Sequence, residues 1–533
     1  MTTATAPYRS SLPVGRDSFG QLLHAEWTKF RTVRGWVITA FAAALLIVLF
    51  AYLGTFAHHD GGICVGPNPA TGTCRSFSHP SPPLGPGGEP VADTYYSVSR
   101  TLVGNGTITV RVSSLTGLVQ GGNGHSASVA DMAGAPGRVQ PWAKAGLIVS
   151  AGSKLGSAYA AVMLTGTHGV RLQYDYTDDI AGPRASATAP RWLRLTRSGR
   201  TLKGYESADG SSWTMVGTAT LPALPTKVQA GMFVTSPPSA QAQPLAGGAG
   251  SQATGASATF GQPALAGGWS PGAPGGWTAR DVGDTHVIPT VSSVGSTPSG
   301  SGFAITGSGD LGPSVGVGDT DKNALTGVFI GLIVLIVLGA MFITGEYRRG
   351  LIQTTFTATP RRGRVLIAKA IVIAAVAFVV GAAASAISIP LGNHILQHNG
   401  NYVYPTSTLT ELRLILGTGL LVALVAVLAL AVGTALRRGA GAVTAVIALI
   451  ILPYLLAFAS ALPAGASEWL LRITPAAAFA VQQTVSQYHQ VSWVYTPSDG
   501  YYPLSPAVGL AVLGAYTLAA LLIANRVLRT RDA

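Results

Sequence analysis

Uncharged, apolar stretches long enough to cross a membrane recur six times along the chain. They are residues 35–57, 323–345, 370–392, 414–436, 439–467 and 500–525. An α-helix rises about 1.5 Å per residue, so each stretch can cross a hydrocarbon core of roughly 30 Å. Soluble proteins rarely carry so many uncharged stretches of this length, so the pattern predicts six transmembrane helices.

Residues 91–262, between the first and second stretches, follow a different pattern. Val170, Leu172 and Tyr174 alternate with polar residues, which is typical of a half-buried strand. The dipeptide Asp209-Gly210 separates two such segments and favours a hairpin turn. Many short strands separated by turns predict an antiparallel β-sandwich.

The segments that flank or interrupt these strands are rich in small residues and proline. Residues 58–90 are interpreted as a Gly/Pro-rich stalk, and residues 236–258 as a mobile low-complexity loop. Residues 263–322 form a return segment rich in Gly, Ser and Pro. This return segment either adds strands to the sandwich or forms a second stalk.

Basic residues cluster on one side of the predicted helices. Those on that side are Arg9, Arg16, Lys29, Arg31, Arg34, Arg348, Arg349, Arg361, Arg362, Arg364, Lys369, Arg437, Arg438, Arg526, Arg529 and Arg531. The short loops on the other side hold only Arg413 and Arg472. Because basic residues are retained in the cytoplasm, we predict that both termini are cytoplasmic and that residues 58–322 are extracytoplasmic.

The predicted fold is therefore an α-helical polytopic membrane protein with six transmembrane helices and an inserted all-β extracytoplasmic sandwich domain. A cytoplasmic segment, 1–34, precedes the first helix, which is too long for a cleaved signal peptide and is interpreted as a retained anchor. Residues 323–533 carry the other five helices, and the plasma membrane is the expected location. Orientation and contact with membrane lipid account for the net charge of +13, so no nucleic-acid partner is expected.

The chain has two cysteines, Cys64 and Cys74, which both follow the first apolar stretch closely. An oxidising exterior favours a disulfide between them. Two free thiols are the alternative.

No pattern typical of an enzyme stands out in the sequence. A Gly-Lys pair followed by Ser or Thr does not occur, so the P-loop that cradles nucleotide phosphates is absent. No pair of facing carboxylates indicates a glycosidase. Asp175, Asp178 and Asp179 could offer oxygen ligands to calcium, although a solvated turn is the commoner meaning of such a cluster. We predict no enzyme activity, no resident cofactor and no metal site.

Four segments of the strand-rich region are similar to the concanavalin-like jelly-roll modules of bacterial secreted proteins. They are PWAKAGLIVS (141–150), SAYAAVMLT (157–165), RWLRLTRSGRTLKGYESADGSSWTMVG (191–217) and AGMFVTS (230–236). Many such modules bind carbohydrate, so the resemblance implies a possible extracellular glycan partner. The candidate glycan contacts are Trp142, Trp192, Trp213 and Tyr205, although aromatic residues in strands more often belong to the core.

Two segments on the predicted cytoplasmic side have a pattern that topology does not require. In residues 19–36, Phe19, Trp27 and Phe30 recur at helical spacing and predict an amphipathic helix along the membrane interface. Residues 345–370 join the second and third transmembrane helices and are too long for a minimal turn.

These segments and the six-helix layout resemble the permease subunits of the type 2 ABC transporter family. The residues to which the resemblance assigns coupling with the ATPase are Glu26, Trp27, Lys29, Arg34, Glu346, Arg348, Arg349, Pro360, Arg361, Arg362 and Lys369. Pro475 fits the outer re-entrant region of the family. The resemblance implies an exporter energised by a separate cytoplasmic ABC ATPase dimer, with a second permease subunit of the same or a different kind.

The chain departs from this family in one respect. The family usually has a short outer loop after the first transmembrane helix, whereas here a folded domain is predicted. The size of that domain motivates an alternative: a membrane-anchored extracellular glycan-binding or sensing protein without transport activity.

Overall fold

The structure is a computed structural model that describes residues 18–58, 63–67, 74–77, 81–119, 139–242, 249–270, 276–283, 294–315, 318–358 and 361–530. Over these residues the chain divides into a helical bundle and a separate large β-sheet domain. The bundle contains residues 18–57 and 323–530. The β domain lies between them in sequence.

The described part of the bundle contains nine α-helices. They are α1 Phe19–Thr32, α2 Arg34–Ala57, α3 Val328–Arg348, α4 Leu351–Ala358, α5 Arg362–His398, α6 Thr408–Leu436, α7 Gly439–Phe458, α8 Ala464–Ile473 and α9 Pro506–Thr530. Three 3₁₀ helices are Asn323–Leu325, Pro475–Gln482 and Pro497–Asp499. Six of the described helices, α2, α3, α5, α6, α7 and α9, are long and apolar enough to cross a membrane, in the regions that the sequence predicts.

Local sequence signals fix several helix ends. The side chain of Ser18 accepts a hydrogen bond from the Gln21 N–H and caps α1, and Ser407 does the same for Thr410 at the start of α6. Arg437 adopts a left-handed conformation that ends α6. The apolar run 439–467 gives a shorter helix than predicted. Helix α7 ends at Phe458, and the chain then turns into α8.

Gly327 and Gly331, four residues apart, allow α2 and α3 to approach closely. A Cβ atom added at Gly327 would lie 1.9 Å from the Ile47 carbonyl oxygen. One added at Gly331 would lie 2.2 Å from the Ile47 side chain. Close contact of this kind is typical of helices that pack through glycine.

The bundle has two chemically different ends. At one, which we call the basic end, α2, α5 and α7 begin and α3, α6 and α9 end. At the other, the Asn399 side chain donates hydrogen bonds to the carbonyls of Thr55 and Phe56, both at 3.3 Å. The Lys322 ammonium donates to the carbonyl of Ser498 at 3.3 Å. The β domain joins the bundle at this second end.

The described part of the β domain and its connections contains twenty strands. They are β1 Ile63–Pro67, β2 Cys74–Phe77, β3 Val91–Asp93, β4 Tyr95–Val119, β5 Lys144–Ser150, β6 Tyr159–Thr165, β7 Val170–Tyr174, β8 Asp178–Ala181, β9 Arg191–Ser198, β10 Thr201–Ser207, β11 Thr214–Thr220, β12 Lys227–Thr235, β13 Ser239–Ala242, β14 Ala249–Gln252, β15 Thr254–Phe260, β16 Ala264–Trp269, β17 Thr278–Val282, β18 Gly295–Ser299, β19 Gly302–Ser308 and β20 Leu311–Pro313. The longest, β4, pairs with β9, β12, β15, β16 and β17, so it organises the main sheet.

The main antiparallel sheet runs in the order β11–β10–β9–β4–β12–β5–β6–β7–β8. Distant strands face each other across an apolar core, since Gly204 of β10 lies against Val162 and Leu172. The hairpin predicted at Asp209-Gly210 is confirmed: it joins β10 to β11, and Gly210 has a φ of 80°.

Two low-complexity segments contain more regular structure than their composition suggests. The prediction of a loop over 236–258 is wrong for its described part, which holds β13, β14 and the start of β15. Ala256 and Ala258 are buried in β15, so small side chains suffice where the backbone pairs with a neighbour. Of the two possibilities for 263–322, the structure has strands: β16 and β17 pair with β4, and β19 pairs with β15.

The β domain touches the bundle through a loop that precedes α9. The amide of Gln490, which is buried, donates hydrogen bonds to the carbonyls of Tyr176 and Thr177 at 3.4 and 2.8 Å. These two residues lie at the turn between β7 and β8, where Asp175 and Tyr176 both have positive φ. This strained turn is therefore the part of the main sheet that meets the loop.

Candidate functional site

Four charged side chains meet at the basic end of the bundle. The Lys369 ammonium lies 2.7 Å from Glu26 Oε2 and 2.6 Å from Glu346 Oε1. The Lys29 ammonium lies 2.8 Å from Glu26 Oε1 and 3.5 Å from Glu346 Oε1. We call these four residues the charge cluster; it joins α1 to the end of α3 and the beginning of α5.

The cluster is largely withdrawn from solvent. The side chains of Lys369 and Glu26 are 0% and 1% exposed, whereas those of Glu346 and Lys29 are 15% and 42% exposed. Two lysines and two glutamates balance in charge, as buried ions require. Glu346 Oε2 is buried without a hydrogen-bond partner among the described residues. One buried acceptor of the cluster is therefore unsatisfied within the described residues.

The aromatic residues beside the cluster fix the position of α1. The Phe342 ring lies 6.0 Å from that of Phe30 and 5.9 Å from that of Trp36, both edge-on. The Lys369 ammonium lies 4.8 Å from the centre of the Phe342 ring. Trp27 stacks on Phe30 and remains 42% exposed. The predicted amphipathic helix thus buries Glu26 and Phe30 together and leaves Trp27 on its outer surface.

The environment of Lys29 favours its charged form. Burial lowers the pKa of Lys29, but the adjacent carboxylates of Glu26 and Glu346 outweigh this effect and raise the pKa above its usual range. Lys29 therefore remains a cation at any physiological pH.

The other residues assigned to ATPase coupling do not join the charge cluster. Arg34, Arg348 and Arg349 are exposed at the same end of the bundle. Pro360 lies outside the described residues.

Arg361 and Arg362 line a groove between the start of α5 and the end of α9, away from the cluster. Arg362 Nη1 donates a hydrogen bond to the Leu528 carbonyl at 2.8 Å. Sequence reasoning did not associate Arg364 and Arg529 with these two, although all four line the same groove. Their basic character was visible in the sequence, but the approach of α9 to α5 was not.

Three of the four candidate glycan contacts share one face of the β domain. Trp192, Tyr205 and Trp213 are half-buried, and the strand register places Tyr205 opposite Arg194. The Arg194 guanidinium lies 3.7 Å from the centre of the Trp213 ring. We call this surface the aromatic face.

Trp142 lies apart from the aromatic face. It is 5% exposed, its ring stacks on that of His168 at 3.9 Å, and Arg171 lies 5.5 Å from the ring centre. Glycan contact stays a prediction for all four aromatic residues.

Two other sequence hypotheses concern acidic and sulfur-bearing side chains. Asp179, considered as a calcium ligand, instead accepts hydrogen bonds from Arg171 and Gln173 at 3.0 and 3.1 Å. Cys64 and Cys74 lie in the paired strands β1 and β2, but their side chains lie outside what the structure describes. The disulfide stays a prediction.

A second buried group of ionisable side chains lies inside the β domain. Asp93 accepts a hydrogen bond from the Gly156 N–H at 2.9 Å. Burial raises the pKa of Asp93 to about 6, against the opposing effect of this bond and one from Tyr176. Burial likewise raises the pKa of Asp175 to about 6. Nearby, the buried Lys144 pairs with Asp310 at 2.9 Å.

No family model and no curated protein matches this chain. Among solved structures, it is similar to a functionally unknown protein from Saccharomyces cerevisiae, with 14% identity and a TM-score of 0.19, over 32% of this chain and 72% of that one. It is also similar to Scytalido-glutamic peptidase, solved with a peptide-based transition state analog, with 7% identity and a TM-score of 0.23, over 41% of this chain and 98% of that one. At these TM-scores neither similarity supports a conclusion about this chain.

Proposed function

We propose that this chain is the membrane-spanning permease subunit of an ATP-binding-cassette transporter, an exporter energised by a separate cytoplasmic ATPase. The observation that carries the proposal is the charge cluster, which ties the peripheral helix α1 to two of the six membrane-length helices. The absence of a P-loop from the sequence agrees with an energy source on another subunit.

The proposed coupling works through α1. An ATPase dimer that closes on ATP pushes on α1 and on the segment between α3 and α5. Ion pairs in a medium of low dielectric are strong, and removal of one partner leaves an uncompensated buried charge. Movement of α1 is therefore transmitted to Glu346 on α3 and Lys369 on α5, and changes the packing of the bundle.

Glu346 is the proposed contact with the ATPase. Its side chain is 15% exposed, and its buried Oε2 atom lacks a partner among the described residues. In the proposed coupling, movement of α1 uncovers this atom, which then accepts a hydrogen bond from a donor on the docked subunit. A second permease subunit, the same or different, completes the proposed transporter, with both termini of this chain cytoplasmic and residues 58–322 outside the plasma membrane.

The test is affinity purification of the full-length protein from its native membrane in mild detergent, followed by an ATPase assay. We expect an ATPase subunit to co-purify. Glu346→Gln preserves side-chain volume and should lower ATP hydrolysis about tenfold while the complex stays intact. Glu468→Gln is the matched control, because Glu468 is 41% exposed near the β-domain end and pairs with Arg472. Purification without an ATPase subunit, or unchanged hydrolysis by Glu346→Gln, would contradict the proposal.

The orientation has its own test. In a Cys64→Ser/Cys74→Ser background, which removes the two native thiols, a cysteine introduced by Lys203→Cys, on the exposed side of β10, should react with an impermeant maleimide on intact cells. A cysteine introduced by Arg348→Cys should react only after permeabilisation. The opposite pattern would reverse the proposed topology and remove the basis for a cytoplasmic ATPase partner at the basic end.

The aromatic face favours a second candidate function, extracellular glycan binding or sensing without transport. Aromatic rings can stack on sugar rings. An adjacent arginine can donate hydrogen bonds to the sugar hydroxyls. Full-length protein should then bind defined glycans on an array, and Trp213→Ala should weaken the binding. Trp469→Ala removes an exposed tryptophan of α8 and serves as the control. Binding by wild type and by Trp213→Ala alike would exclude the aromatic face as the site.

A further inference from the structure

We propose that the groove between α5 and α9 binds an anionic phospholipid. The groove has a volume of about 710 Å³. Its lining includes Arg361, Arg362, Arg364, Arg529, Leu518 and Leu522. Four of these are arginines, and no acidic side chain lines the groove among the described residues. The proposal does not depend on an ATPase partner.

The charges and the apolar residues of the groove are separated along the helix axes. The arginines lie at the basic end, where α5 begins and α9 ends. The leucines of α9 lie earlier in that helix, so they are deeper in the bundle. Leu518 precedes Arg529 by eleven residues, which corresponds to about 16 Å along a helix. The groove is therefore cationic at its mouth and apolar below it.

This arrangement matches a phospholipid better than a soluble anion. Arginine binds phosphate oxygens through paired N–H groups, and basic pockets between transmembrane helices are known sites for anionic lipid headgroups. Leu518 and Leu522 are 58% and 61% exposed, so an acyl chain can lie along α9 beneath the headgroup. A free phosphate would use the arginines but gain nothing from the leucines.

The contact between the two helices keeps the groove in place. Arg362 donates to the Leu528 carbonyl at 2.8 Å, so one arginine fixes α9 to α5. Gly363 allows the close approach, since an added Cβ would lie 2.7 Å from Asn525 Oδ1. We therefore assign headgroup binding to Arg361, Arg364 and Arg529, and positioning of the groove to Arg362.

The test uses the full-length protein, stripped of lipid in detergent and titrated with phosphatidylglycerol or phosphatidylcholine. Native mass spectrometry counts the lipid retained. We expect about tenfold tighter retention of phosphatidylglycerol, and loss of this preference in the variant Arg361→Gln/Arg364→Gln/Arg529→Gln. Arg526→Gln is the control, because Arg526 is exposed on the same helix, one turn from Arg529, and does not line the groove.

Two further measurements distinguish a bound phospholipid from a bound free anion. Leu518→Ala/Leu522→Ala should weaken retention of phosphatidylglycerol while the arginines remain. Inorganic phosphate at millimolar concentration should not displace the lipid. Equal retention of both lipids by wild type, an unchanged preference in the triple variant, or displacement by phosphate would each overturn the proposal. If the triple variant does not fold, Arg529→Gln alone should still show a partial loss of preference, and no loss would overturn the proposal.

Discussion

Lys369 is the residue on which the charge cluster depends most. It lies between two carboxylates, is 0% exposed, and has its ammonium 4.8 Å from the centre of the Phe342 ring. Lys369→Met would leave the two carboxylates of Glu26 and Glu346 with Lys29, which is 42% exposed, in place of a fully buried cation. We expect this change to cost about 3–5 kcal/mol of stability, measured as a fall in the melting temperature of the full-length protein in detergent.

The control for Lys369→Met follows from how the four residues of the charge cluster pair. The double variant Glu26→Gln/Lys369→Met removes one charge of each sign and leaves Lys29 with Glu346, so it should be less harmful than Lys369→Met alone. Lys154→Met, at an exposed position of the β domain, should have little effect. If Lys154→Met and Lys369→Met had equal effects, the cluster would contribute nothing to stability.

Asp93 makes the stability of the β domain depend on pH. Its folded pKa of about 6 lies above its usual value of 3.8, so the native state binds the proton more tightly than the unfolded state. The resulting stabilisation is present at low pH and is lost as the pH rises through about 6. Between pH 5 and pH 8 the loss is about 1.4 kcal/mol. The pKa of Asp175 is raised in the same way, so it contributes a pH dependence of the same sign.

The measurement is hydrogen exchange of strand β3 in the full-length protein, corrected for intrinsic rates. Asp93→Asn should reduce the pH dependence between pH 5 and pH 8 and increase protection at pH 8. Asp209→Asn is the control, because N–H groups of Ser211 and Ser212 hold the pKa of Asp209 below its usual range, outside this window. An unchanged pH dependence in Asp93→Asn would refute the role of this carboxyl.

At the scale of elements, the contact between α2 and α3 is sensitive to a single methyl group. An added Cβ at Gly327 meets the Ile47 carbonyl at 1.9 Å, and backbone cannot move aside as a side chain can. We expect Gly327→Ala to cost about 1–3 kcal/mol through overpacking. Gly514→Ala on α9 has nothing within 4 Å and should be neutral or stabilising by up to about 1 kcal/mol. Equal melting temperatures for the two variants would contradict close packing of α2 on α3.

The sequence predicted the helices better than it predicted which helices contact one another. Periodicity and charge located six membrane-length helices, because these signals are local. Glu26 and Lys369 were both selected, but their contact joins residues 343 positions apart and depends on how the bundle packs. At 236–258 the composition predicted a loop, but backbone pairing forms strands there from residues that are typical of loops.

At the scale of the whole molecule, the two candidate sites of the bundle both lie at the end opposite the β domain. The charge cluster and the groove between α5 and α9 lie at the basic end, and the β domain lies at the other. In the proposed transporter, a signal between the domain and the ATPase therefore has to pass along the membrane-length helices. The loop that contains Gln490 is a described link at the β-domain end: it contacts the β7–β8 turn and continues through the 3₁₀ helix Pro497–Asp499 to α9.

Gln490→Ala tests whether this link holds the β domain against the bundle. The variant removes two hydrogen bonds to the carbonyls of Tyr176 and Thr177, where the turn adopts positive φ and needs external support. We expect faster amide exchange in residues 170–181 of the full-length protein, with no change in β9 and β10. Gln229→Ala, in β12 and remote from the loop, is the control matched in side chain. The expected effect is local, so faster exchange throughout the β domain would indicate general destabilisation and contradict the prediction. Unchanged exchange at 170–181 would also contradict it, because the turn would then be held by its own sheet alone.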